Sequence, residues 1–132
     1  MKKGIKMDPA VIAVIGFFVV LFVIKRASLT SKTDVFEGLK RSYMIVDVRT
    51  PNEFASGNVK GSVNIPLGVI SGADDQLPKD KNETIFVYCL SGARSGSARG
   101  ILKKKGYTNV LNLGGYTRAK SLVAQGLENI TE

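Results

Sequence analysis

The chain has a single cysteine, Cys89, at the end of an apolar run and directly before Leu90-Ser91-Gly92-Ala93-Arg94-Ser95. A free cysteine is often just a small buried hydrophobe, but this position points elsewhere. The small residues from Leu90 to Arg94 let successive backbone N–H groups turn inward as an anion nest, with a helix N-terminus starting near Arg94 or Ser95 behind it. Such a setting lowers a thiol's pKa and stabilises an anion held on its sulfur. Gly92 lets the backbone curl close to the sulfur, and Ser91 and Ser95 can donate hydroxyl hydrogen bonds there. Arg94 is the one side-chain cation of the loop. A cation at the positive end of a helix dipole is unfavourable unless an anion compensates it, so Arg94 reads as an anion-binding residue.

Asp47 and Arg49 end a second apolar run, Tyr43 to Val48, and are expected to border the same pocket. A structural reading competes: an Arg49–Glu53 pair locking a strand to the next helix, with Asp47 capping backbone N–H groups, explains both without catalysis. With one cysteine and no histidine, disulfide frameworks, cysteine-based zinc sites, Cys-His and Ser-His-Asp catalysis are excluded, and no metal is expected.

These residues need elements to hold them. Asp34 can cap a short helix through Lys40, Tyr43 to Val48 reads as a buried strand, and Thr50, Pro51 and Glu53 as a helix start. Gly57 ends that helix. Val63 to Ile65 is a short extended piece, residues 71–82 a surface loop, and Thr84 to Tyr88 a second buried strand ending at Cys89. Ser97 to Lys105 forms a helix with Ala98, Ile101 and Leu102 on one face, closed by Gly106. Asn109 to Leu113 is a third strand, Gly114 and Gly115 a turn, and Tyr116 to Gln125 a last helix. Alternation of this kind predicts an α/β domain: an open, mostly parallel sheet with helices on both faces, whose ligands bind at the carboxyl ends of strands.

The 132 residues accommodate one domain plus an extension. The net charge of +8 is uneven: residues 1–32 hold six Lys or Arg against one acid, residues 33–132 thirteen against ten. Lys103 to Lys105 form a basic run without interleaved aromatics, a solvated helix end, so no nucleic-acid partner is expected. From Ala10 to Ile24 every residue is apolar or Gly. The expected organisation is a basic flank (1–9), a transmembrane anchor (10–24), a linker (25–33) and the domain (34–132). No small-x-small cleavage triplet follows the run, so the anchor is expected to remain, making a single-pass membrane protein. More Lys and Arg follow the span than precede it, which puts the domain on the cytoplasmic side.

The sequence resembles the rhodanese family of sulfurtransferases over nearly all of residues 33–120. Val46-Asp47-Val48-Arg49 with Pro51, Glu53 and Phe54 is similar to the family's first signature, and Gly61-Ser62-Val63-Asn64-Ile65-Pro66-Leu67 to its second. Cys89 with its loop resembles the active site, and Asn112-Leu113-Gly114-Gly115 the closing signature. The resemblance implies a rhodanese-like fold and a sulfane sulfur carried on Cys89 as a persulfide without a cofactor. A small anionic donor such as thiosulfate loads it, and a thiophilic acceptor (cyanide, a thiol or a protein) unloads it. The backbone of Leu90 to Ser95 would cradle the outer sulfur, and Arg94 would help bind the donor and the leaving sulfite. One departure is Gly57-Asn58, where members commonly carry Gly-His; that position is expected to be structural.

Two other functions compete. Phosphatases and arsenate reductases of related fold use a Cys-x5-Arg loop, one residue longer than the Cys-x4-Arg of Cys89 to Arg94, and the narrower cradle suits a single sulfur better than a phosphate. A non-catalytic module binding a membrane partner would ordinarily have lost the cysteine. Gly92, Gly96 and Gly100 match neither nucleotide-binding fingerprint.

Overall fold

A computed structural model describes residues 4–27 and 29–132. Lys2 and Lys3 of the expected basic flank, Ser28 of the linker and the side chains of Lys25 and Arg26 lie outside the described residues. Helix α1 spans Pro9–Ala27, α2 Lys32–Leu39 and strand β1 Tyr43–Asp47. Then come α3 (Pro51–Ala55), β2 (Ser62–Asn64), a single 3-10 turn (Ile70–Gly72) and β3 (Thr84–Cys89). Helix α4 (Ala93–Lys104), β4 (Val110–Gly115) and α5 (Tyr116–Thr131) complete the chain.

The four strands form one parallel sheet in the order β2-β1-β3-β4. β3 is central and buried along its whole length, which is why Thr84 to Cys89 reads as a continuous apolar run. Its side chains alternate between two cores, as the two-residue period of a strand requires. Ile85, Val87 and Cys89 pack with Val46, Val48 and the α4 residues Ala98 and Leu102. Phe86 and Tyr88 pack on the other face with Ile45, Val35 and Leu39 of α2, and Ala119, Leu122 and Val123 of α5. The expected α/β sheet with helices on both faces is therefore the architecture found.

Three local expectations change. The cap of α2 is Ser31, whose Oγ accepts from Asp34 N–H at 3.2 Å, so Asp34 lies in the first turn rather than before it. Helix α4 begins at Ala93, not Ser97, because Gly92 takes a left-handed conformation (φ +95°) that turns the chain straight from β3 into the helix. Gly114 and Gly115 are not a turn after β4 but its last two residues.

The expected membrane anchor over residues 10–24, and with it the single-pass localisation and membrane partner, is overturned: among the described residues, no helix is long and apolar enough to cross a membrane. The physical reason is the length of the uncharged stretch within α1, which ends where Lys25 and Arg26 follow Ile24. The 15 residues from Ala10 to Ile24 rise about 1.5 Å each in a helix, or roughly 22 Å, against a hydrocarbon core of about 30 Å.

Candidate active site

Cys89 ends β3, and only Leu90, Ser91 and Gly92 separate it from α4. The sulfur is wholly buried, with 0 % exposure. Gly92 N–H donates to Sγ at 2.9 Å, and the Ser95 hydroxyl lies 3.5 Å from it. That hydroxyl also donates to Gly92 O at 3.0 Å. Its single proton can turn to the sulfur when Cys89 ionises.

Burial pushes the Cys89 thiol up, but the Ser95 hydroxyl and the backbone N–H groups of Ser95, Gly92 and Ser91 together outweigh it and hold the thiol below its ordinary value. These donors come from a tight loop and the first turn of a helix whose N–H groups have no partner within the helix. The arrangement favours an anion on or next to the sulfur. Leu90, by contrast, turns its side chain to solvent and is 61 % exposed.

Arg94, in the first turn of α4, is brought to the site but is not free. Its Nη1 and Nη2 donate to Glu53 Oε1 and Oε2 at 2.8 and 2.9 Å. Glu53 is the third residue of α3, where it completes a capping box: Thr50 N–H donates to Oε1 at 3.2 Å and Glu53 N–H to Thr50 Oγ1 at 3.3 Å. Arg94 above all, against the cost of desolvation and with help from Thr50, holds the Glu53 carboxyl at about 2. Hydrogen bonding to Glu53 raises the Arg94 guanidinium above its ordinary value.

The anticipated Arg49–Glu53 pair is thus replaced by two others. Arg49 pairs instead with Asp47, through Nη2–Oδ2 at 2.7 Å, and both side chains are 5 % exposed or less. Arg49 also donates to Gly57 O at 2.6 Å and stacks over the ring of Tyr116 at 4.7 Å. Asp47 accepts from Arg49 N–H at 2.8 Å, the backbone cap expected of it. Asp47 alternates with Val46 and Val48, which face Cys89's core, so its carboxylate and the Arg49 that it holds lie on the opposite face of the sheet. The Asp47 carboxylate is nonetheless near enough to Arg94 of the loop to help raise its guanidinium.

A family model for the rhodanese-like domain matches residues 32–121. The chain belongs to the rhodanese-like family. The thiosulfate sulfurtransferase PspE of Escherichia coli is 43% identical over 70 residues, covering 53% of this chain and 67% of that protein. A sulfurtransferase of Allochromatium vinosum is 40% identical over 72 residues, covering 54% and 65%. The chain therefore spans about two thirds of the length of these curated relatives. Among solved structures, a rhodanese with anions from E. coli superposes with a TM-score of 0.56 at 39% identity, covering 58% of this chain and 91% of that one.

Within this rhodanese-like domain, two features behind the loop escaped the sequence reading. A Cβ on Gly115 would stand 2.7 Å from Leu90 O, and one on Gly92 would stand 3.4 Å from Gly114 Cα. The end of β4 is therefore the floor of the cradle, backbone against backbone. Asn112 holds that floor, its Oδ1 accepting from Gly114 N–H at 2.9 Å. Adjacent glycines are the available signal, though in the sequence they read equally well as a turn. Asn58, expected to be structural, donates from Nδ2 to Phe54 O at 3.0 Å and closes α3.

Proposed function

We propose that Cys89 carries sulfane sulfur as a persulfide, with Leu90 to Ser95 as its cradle. The protein is a rhodanese-type sulfurtransferase, and the observation that carries the assignment of Cys89 is the 2.9 Å hydrogen bond from Gly92 N–H to its sulfur in a loop that stabilises the thiolate. The ionised sulfur attacks the outer sulfur of a donor. With thiosulfate, the Cys89 thiolate takes the sulfane atom, the S–S bond of the donor breaks, and sulfite leaves with the electron pair. Cyanide or a thiolate then attacks the outer sulfur of the persulfide, forming thiocyanate or a new persulfide and regenerating the thiolate. No electron is gained or lost by the pair of steps, and no cofactor is required.

The terminal sulfur of the persulfide is an anion one bond beyond Sγ. The backbone N–H groups of Ser91 and Gly92 and the Ser95 hydroxyl are the donors that would hold it. The partners are a small sulfur donor and a thiol or protein acceptor. Phosphoryl transfer is disfavoured by the short loop and by the engagement of Arg94 with Glu53.

The deciding experiment measures thiocyanate formation from thiosulfate and cyanide beside Cys89→Ser, with intact-mass analysis after exposure to thiosulfate, polysulfide and persulfide donors. The expected result is a gain of one sulfur atom and turnover in the wild type, both absent in the variant. No sulfur uptake from any donor overturns the reading in favour of a non-catalytic binding module.

A further inference from the structure

Strand β4 is the outer strand of the sheet: it pairs with β3 on one side and, among the described residues, with no strand on the other. Its last residues are nevertheless the floor on which Leu90 and Gly92 rest, so the position of that floor decides how closely the loop wraps the sulfur. The Asn112 side chain has no hold on α4. Its Nδ2, 3.7 Å from where Gly96 would carry a Cβ, is buried without a hydrogen-bond partner among the described residues. The fastening comes from the outer edge instead. Thr30 N–H donates to Asn112 O at 3.1 Å. Arg118, in the first turn of α5, donates from Nη1 to Leu113 O and from Nη2 to Thr30 O, both at 2.7 Å. Leu113 is the residue that the pairing with β3 skips, the place where the ladder itself holds the strand least. Over the same spot, Leu29 Cδ2 would stand 2.9 Å and Arg118 Cδ 3.6 Å from a Cβ on Gly114. Arg118 has no carboxylate partner among the described residues; its guanidinium is spent on two backbone carbonyls from opposite ends of the chain.

We propose that Arg118 is a positioning residue of the sulfur site: by clasping Thr30 to Leu113 it holds Gly114 and Gly115 beneath the loop and keeps the N–H of Gly92 aimed at Cys89 Sγ. The proposal rests on the sulfur-carrier reading of Cys89. Arg118 touches no reacting atom and acts through a short chain of contacts. Its stem packs on Gly114, Gly114 Cα lies 3.4 Å from where Gly92 would carry a Cβ, and Gly92 N–H reaches the sulfur at 2.9 Å. A hydrogen bond weakens steeply as its angle closes, so a floor that sags by a fraction of an ångström withdraws support from the thiolate. A clasp that served folding alone would leave the thiol unchanged when removed.

The test measures the rate of Cys89 alkylation by iodoacetamide, an uncharged reagent, across a pH series, with thermal unfolding alongside. The proteins are the wild type, Arg118→Met, which keeps an apolar stem and removes both donors, and Arg99→Met. Arg99 Nε donates to Val110 O at 2.9 Å, so the second variant loses one positive charge and an arginine-to-carbonyl bond at the opposite end of β4. In Arg118→Met the pH midpoint is expected to rise and the rate at neutral pH to fall about fivefold, part of what a hydrogen bond to a charged group is worth. The rates should converge at high pH, where the sulfur is ionised in every protein, and Arg99→Met should keep the midpoint of the wild type. An unchanged midpoint in Arg118→Met, a fall that is the same at every pH, or an equal shift in Arg99→Met overturns the proposal. Should Arg118→Met not fold, Leu29→Ala, which opens the cover over Gly114, decides: a raised midpoint supports the clasp and an unchanged one overturns it. If the wild type takes up no sulfur from any donor, the sulfur-carrier reading fails separately, and the alkylation midpoints still decide whether Arg118 sets the thiol.

Discussion

Asp47 and Arg49, two residues apart at the end of β1, form an ion pair with almost no solvent contact, 2.7 Å between Arg49 Nη2 and Asp47 Oδ2. Hydrogen bonding to Asp47 raises the guanidinium above its ordinary value, and burial opposes it only in part. The pair sits on the face of the sheet away from Cys89, joined to Gly57 O and to the ring of Tyr116. Removing one partner leaves a buried charge without compensation. Arg49→Ala is expected to lose about 3–5 kcal/mol of stability by urea unfolding, while protein still folded at low temperature keeps most of its sulfur transfer. A large loss of turnover in fully folded Arg49→Ala would place Arg49 in the chemistry instead.

The Ser95 hydroxyl is, after burial, the leading influence on the Cys89 thiol, and it acts to lower it. In Ser95→Ala the pH midpoint of Cys89 alkylation should move upward, and sulfur loading at neutral pH should fall about tenfold or more, as for loss of a hydrogen bond to a charged group. Stopped-flow alkylation across a pH series reads both.

The same depressed thiol links stability to pH. The folded value lies below that of the unfolded chain, so the ionised sulfur contributes stability that is complete above the unfolded value and is lost as the pH falls through the folded value. The unfolding free energy of the wild type relative to Cys89→Ala should therefore grow with pH across that window. A difference that is flat with pH would show that the cradle does not favour the thiolate.

Tyr88 is buried, and its hydroxyl oxygen accepts from Val59 N–H at 3.0 Å and lies 3.1 Å from Ser62 Oγ. Tyr88→Phe strands the Val59 N–H in the core and should cost about 1–3 kcal/mol. Because this contact joins β3 to the segment before β2 on the face away from Cys89, loading of sulfur should persist in the folded variant. Chemical denaturation with parallel mass analysis checks the two halves of that statement.

Much of the site was legible because it is local. Cys89, Gly92 and Ser95 fall within one strand–loop–helix passage, and their roles in the cradle follow from small residues ahead of a helix. What was misread depends on neighbours distant in the chain. Spacing alone pairs Glu53 with Arg49, four residues away, whereas the parallel sheet places the end of β1 beside the end of β3 and gives Glu53 to Arg94. Gly114 and Gly115 looked like a turn because a sequence shows the freedom of glycine but not the backbone that crowds it. The apolar run at residues 10–24 has the composition of a span and basic flanks to match, but not the length.

Strand pairing between β3 and β4 slips by one residue where Val87 faces Asn112 and Tyr88 faces Gly114. The extra residue, Leu113, buries its side chain in the core with α5, and Gly114 completes the step at φ +83°. This offset delivers Gly115 directly beneath Leu90 O. The length of the sulfur loop is consequently recorded twice, once between Cys89 and Arg94 and once in the register of a different strand. Diversification towards larger anions would have to change both records together. A library that lengthens the loop alone should return few folded members, and one that also varies residues 112–115 should recover them.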